Sequence, residues 1–115
     1  MGINRKTYQP VQAVTVKATE DLPAFRFVSV SGGLCGDAER ALGVTETDWI
    51  NGEYAAVVTL GNISVEASGA IPAGSDVTSA ADGKAKLATT GNPVNGRAID
   101  GCSSAGEFVK IKLVP

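Results

Sequence analysis

The sequence predicts an all-β chain, a compact β-barrel or β-sandwich of short strands with an extended N-terminal arm. Three observations carry this. Short segments alternate apolar and polar residues with a period of two, and no segment of eleven or more residues holds a 3.6-residue period. Turn residues punctuate the chain at roughly the 8–12-residue spacing of sandwiches and barrels. The composition is also turn-rich, with 14 glycines and only 5% aromatic residues among 115. A chain of this length is one domain, able to bury roughly two-thirds of the surface its unfolded form exposes, so it needs no metal or disulfide to fold.

Residues 1–10 carry no apolar period and end in a proline, which marks them as the arm; residues 11–115 form the single β domain. From Val11 to Thr19 the chain alternates, with Val14, Val16 and Ala18 on the buried face of a half-buried strand. Glu20-Asp21-Leu22-Pro23 breaks it, because proline has no amide donor. Phe25 to Val30 is a second strand, closed by Ser31-Gly32-Gly33, and Arg40 to Thr45 a weaker third. Glu46 to Gly52 is a loop that carries the only tryptophan, Trp49.

Tyr54 to Leu60 and Ile63 to Ala67 are strand-like runs around Gly61-Asn62. This text fits either a hairpin or a bulge within one long bent strand. After an Ile71–Ser75 turn, Asp76–Ser79 and Lys84–Ala88 flank Ala81-Asp82-Gly83, an Asp-Gly hairpin signal. Val94 to Ile99 forms a further strand. After the turn at Asp100–Gly106 comes the clearest one, Glu107 to Val114, with Val109, Ile111 and Leu113 facing one way and Lys110 and Lys112 the other.

The net charge of −2 and the dispersal of basic residues argue against nucleic acid as a partner, since phosphate binding needs Lys and Arg gathered on one face. The largest basic group is Arg5-Lys6. No apolar run approaches the roughly 18 residues of a membrane span, and the start, Met1-Gly2-Ile3-Asn4-Arg5-Lys6, lacks a signal peptide's apolar stretch, so no membrane partner is expected. Cys35 and Cys102 are therefore expected to be reduced, in a protein made in a cytoplasm.

The absence of histidine removes the commonest general base and metal ligand, and with it every Ser-His-Asp or Cys-His arrangement. Two cysteines do not make a zinc site. Ser31-Gly32-Gly33-Leu34-Cys35-Gly36-Asp37 lacks the Gly-Lys-Ser/Thr ending of a phosphate loop. The acidic residues fall mostly in turns, where Asp bonds nearby amides. Asn62-Ile63-Ser64 matches a glycosylation tripeptide that carries no meaning without secretion. The expectation is a non-enzymatic protein with no catalytic residue, metal or cofactor. Trp49 and Tyr54, flanking a Gly-containing loop, are candidate interface anchors, with a core-edge role as the alternative.

The second half carries a pattern of its own: Arg40-Ala41-Leu42-Gly43-Val44, Ile71-Pro72-Ala73-Gly74-Ser75-Asp76-Val77, Asp82-Gly83-Lys84-Ala85, Asn92-Pro93-Val94-Asn95-Gly96-Arg97-Ala98-Ile99-Asp100, and a close at Gly101-Cys102-Ser103-Ser104-Ala105-Gly106-Glu107-Phe108-Val109-Lys110-Ile111. From about Arg40 to Leu113 this resembles the small phage capsid cement (decoration) proteins, with Ile99 in place of that family's leucine. The resemblance implies a structural virion protein on the outer capsid surface, where it stabilises contacts between major capsid protein subunits, often as homo-trimers. The arm, Asn4, Arg5, Lys6, Thr7, Tyr8, Gln9 and Pro10, is the inferred capsid contact, because its residues have no core pattern and a strand can pair with an exposed sheet edge. The competing readings are a tail-tube or baseplate β-domain, and a small ligand-binding β module.

Overall fold

Thirteen consecutive residues, Tyr54–Glu66, form one strand that organises the rest. The computed structural model describes residues 10–114, and these form eight strands: β1 (Pro10–Lys17), β2 (Phe27–Val28), β3 (Gly43–Thr45), β4 (Tyr54–Glu66), β5 (Asp76–Ser79), β6 (Ala85–Leu87), β7 (Gly96–Ala98) and β8 (Phe108–Leu113). Of the two readings of Gly61-Asn62, the structure takes the bent strand. Gly61 has φ 103°, a conformation open to glycine, and the strand turns there without ending.

The bend lets β4 serve two sets of neighbours. Its first half pairs antiparallel with β1 on one side and, at Val57 and Val58, with β3 on the other; its second half, Asn62 to Glu66, pairs with β8. The sheet runs β2-β3-β4-β8-β7-β5-β6, with β1 attached to β4 alone. It curls into a barrel that nearly closes. A parallel bridge joins Ala67 to Ala85, and Gly83 N–H donates to the Cys35 carbonyl (2.9 Å), drawing the β5–β6 turn against β2. That turn is a single 3-10 turn, Ala81–Gly83, and both Asp82 (φ 61°) and Gly83 (φ 72°) take the positive φ that an Asp-Gly hairpin demands.

Two apolar clusters follow from this layout. The larger fills the barrel and includes Phe27, Val44, Val58, Ile63, Ile71, Val77 and Ile111; the smaller joins Ala18, Leu22, Val28, Ala55 and Val57. Val57 and Val58 are adjacent and both fully buried, one in each cluster, so the first half of β4 is covered on both faces there. Each large side chain buried in this way contributes about 1.5–3 kcal/mol. In β8, Val109, Ile111 and Leu113 are buried and Lys112 is exposed, as the alternation predicts.

Three expectations are corrected. The strand over residues 11–19 is not half-buried. Its face is as predicted, but cover runs out along it: Ala18 is buried, Val16 half-buried and Val14 exposed, because β1 follows β4 past the edge of the small cluster. Phe25–Val30 is not one strand. Phe25 sits at φ 61°, and only Phe27–Val28 pair with β3 before the turn at Ser29–Gly32. The proline assigned to the arm opens β1 opposite Gly61; residues 4–9 of that arm lie outside the described residues.

Phe25 earns its strained conformation by its contacts. Its N–H donates to the Thr45 carbonyl, its own carbonyl accepts Glu66 N–H, and its ring meets that of Phe108 edge-on at 5.6 Å. Asn95, buried, bonds through its amide to the Glu39 carbonyl (2.9 Å) and Ala41 N–H (3.0 Å), pinning the 39–41 segment to β7.

Two predictions follow from this packing. A Cβ at Gly43 would lie 2.1 Å from the Val58 carbonyl oxygen, a backbone atom that cannot swing away, whereas one at Gly69 meets nothing within 4 Å. Gly43→Ala is expected to lower Tm by about 10 °C or more, from an overpacking cost of about 2–3 kcal/mol, and Gly69→Ala to change it little, both read by calorimetry. Cys35 and Cys102 are thiols rather than a disulfide, and burial, reinforced by the Glu39 charge, pushes Cys35 up to about 12. At pH 8 its thiolate is then on the order of one part in ten thousand. Iodoacetamide should alkylate Cys102 and spare Cys35 until the chain is unfolded, as mass spectrometry would show.

Candidate interaction surface

The described residues present several exposed surfaces around the barrel. No group of three or more Cys, Asp or Glu among them is placed to hold a metal ion. Three features stand out, each created by strand pairing.

The first is the ribbon made by β1 and the first half of β4. Val14 stands opposite Val57, Val16 opposite Ala55, and Pro10 opposite Gly61, with the register broken around Gln12. Among the described residues no strand pairs with the outer edge of β1, so it presents a row of unpaired backbone groups. Toward the tip the side chains are apolar and uncovered: Val11 is 70% exposed, Leu60 40% and Val14 38%. Lys17 is the strand's single charge. Most proteins blunt such an edge with several charges or cover it.

The second is an acidic end built by the loops before β2 and before β4. Leu22 and Trp49 exchange two backbone hydrogen bonds of 2.8 Å, which lock the loops together. Four carboxylates accept amide N–H groups here: Asp21 from Asn51 (2.9 Å) and Asp48 from Ala24 (2.8 Å) fasten the two loops to each other, Glu53 from Ile50 (2.8 Å) braces the second loop, and Glu20 from Leu34 (3.0 Å) ties the first to the segment after β2. Glu46 adds a fifth. Among the described residues none of the five is in an ion pair. Trp49 packs half-buried against the smaller cluster, with its indole N–H buried and unpartnered, beside a cavity of about 260 Å³ lined by Asp21, Leu22, Pro23, Asp48, Trp49 and Ile50. Tyr54, by contrast, is 70% exposed. Of the two residues named as anchors, Trp49 therefore lies at the core edge and Tyr54 projects outward at the same end of the molecule.

The third was not legible from the basic residues, which look dispersed in sequence. On the outer face of the barrel, Asp76, Arg97, Lys112 and Asn62 stand side by side across β5, β7, β8 and β4. Arg97 is directly opposite Lys112, and Arg97 Nε lies 3.5 Å from Asp76 Oδ1. A groove of about 340 Å³ opens there, lined by these three charged residues with Val94, Leu113 and Val114. The outward position of each cation follows from strand alternation; their adjacency depends on register, which no local signal sets.

Comparison with known proteins completes the picture. The fold is similar to that of the head fiber gp8.5 N base of bacteriophage phi29, with a TM-score of 0.76 at 20% identity, covering 90% of this chain and 93% of that one. At that identity the likeness speaks for the fold. A comparison with curated proteins finds no match. The sequence matches the phage cement protein family over residues 6–113, nearly the whole chain and well beyond the stretch from Arg40 to Leu113. A chain that folds into an all-β, nearly closed barrel and matches that family over residues 6–113 belongs to the phage cement proteins, capsid-binding structural components of the virion.

Proposed function

We propose that this chain attaches to the outer surface of a phage capsid, with the major capsid protein as its partner, and reinforces contacts between shell subunits as a homo-trimer. It works as a non-enzymatic staple, made in the host cytoplasm. Family membership supports this over the tail-tube, baseplate and ligand-module readings. The observation that carries the mode of attachment is the uncovered edge of β1. An extended segment of the shell can add to that edge by main-chain hydrogen bonds, with Val11, Val14 and Leu60 supplying apolar contacts. Residues 4–9 lead directly into this ribbon at Pro10, which makes them the natural continuation of the same contact. Several modest contacts per copy, multiplied over neighbouring shell subunits, give strong net attachment.

Because the ribbon tip lies outside both apolar clusters, attachment and folding are separable. Val11→Asp is expected to leave Tm within about 2–3 °C of the parent, as surface substitutions usually do. It should nevertheless weaken co-sedimentation with expanded empty capsids at least tenfold. Deleting residues 1–9 should likewise leave a folded barrel and weaken shell binding by more than any single surface change. Shell binding unaltered in both variants would remove the ribbon from the interface.

A further inference from the structure

We infer that the acidic end of one copy docks on the Arg97–Lys112 groove of the next, and that this contact is what joins copies into the trimer proposed above, on which the inference rests. The two surfaces are complementary in sign. Lys17 stands at the same end, opposite Tyr54, and among the described residues no cation pairs with any of Glu20, Asp21, Glu46, Asp48 and Glu53. Four are already held by backbone amides, so their charge is fixed in place before a partner arrives. In the groove, Arg97 and Lys112 are cross-strand neighbours of like charge, an arrangement that repels. Asp76 alone offsets them there, through Arg97. An incoming carboxylate would relieve that repulsion.

The apolar parts also match. Ile50, 62% exposed, and Tyr54 project from the acidic end, while Val94 and Val114 are exposed on the rim of the groove. Burying these together would desolvate the charges beside them, which strengthens the attraction. Nor can one copy satisfy its own groove. Tyr54 marks the acidic end and Asn62 is the cross-strand partner of Lys112; the seven residues between them along β4 separate the surfaces by up to about 25 Å. A contact between two different surfaces is heterologous, and heterologous contacts form a closed ring when the rotation between copies closes, as a three-fold rotation does for a trimer, and an open filament when it does not. The ribbon stays free to face the shell.

The test uses the intact protein and measures mass by light scattering at about 0.05 M and about 1 M salt, with shell co-sedimentation in parallel. Glu46, half-buried, and Lys112, exposed, are suitable positions because among the described residues neither side chain is in an ion pair. The wild-type chain should be multimeric at low salt and lighter at high salt. Glu46→Lys and Lys112→Glu should each weaken self-association at least tenfold, and the double variant, with both signs reversed, should regain it. Single variants that keep the wild-type mass, or a double variant no better than either single one, would overturn the contact. A wild-type chain that coats shells yet stays monomeric would overturn it too, leaving shell attachment intact. If the single reversals weaken shell binding without changing mass, the acidic end meets the shell, and the inference fails in that direction. A salt-sensitive ring that never binds shells would instead uphold the contact and overturn the shell reading.

Discussion

The barrel is held together by one strand that belongs to two neighbourhoods at once. The first half of β4 is sheathed by β1 and β3, and its second half is the partner of β8. Gly61, at φ 103°, redirects the strand between the two. Without that bend the chain would have a flat sheet with two long open edges. With it, β8, β7, β5 and β6 wrap round until Ala85 reaches Ala67, just past the end of β4. Most other strands hold two to four residues, too few to be stable as isolated hairpins. They persist because closure buries each against the same core.

Closure is reinforced by polar contacts at the seam. Arg26 reaches the Asp82 carbonyl (3.0 Å) and Glu66 (3.2 Å), and Lys84 approaches the same Glu66 carboxylate (3.5 Å). These residues come from three separate stretches: the approach to β2, the β5–β6 turn and the end of β4. Partly exposed ion pairs contribute little individually, but here they fix which edges meet. Asn95 does similar work from inside, where its buried amide would be costly to leave unpaired.

Function in this chain is a matter of surfaces left over once the barrel is built. The core takes Ala55, Val57 and Val58 from the first half of β4 and Ile63 and Val65 from the second, and the start of β1 is carried past it beside Leu60 and Gly61. That arrangement leaves an apolar, hydrogen-bonding edge outside the folding unit, so a partner can occupy it at no cost to the core. The carboxylates at the loops before β2 and β4 serve both purposes. One oxygen of each staples a loop, and the charge remains available to a partner. The buried Cys35 thiol is pushed toward inertness by its burial and by the Glu39 charge.

Fold class, turns and side-chain faces were legible in the amino-acid order alone. Alternation in Glu107–Val114 placed Val109, Ile111 and Leu113 inside, and Asp82-Gly83 marked a tight turn, because period and turn chemistry are local properties of the chain. Its family pattern named the right class of protein. Three things were decided only in three dimensions. Whether Gly61-Asn62 ends a strand or bends it depends on what pairs beyond it, and β8 does. Whether Val14 is covered depends on how far the small cluster extends, which alternation cannot report. Whether Arg97 and Lys112 are neighbours depends on a register between strands distant in sequence. Local pattern fixes which way a side chain points; only the packed partner fixes what it meets there.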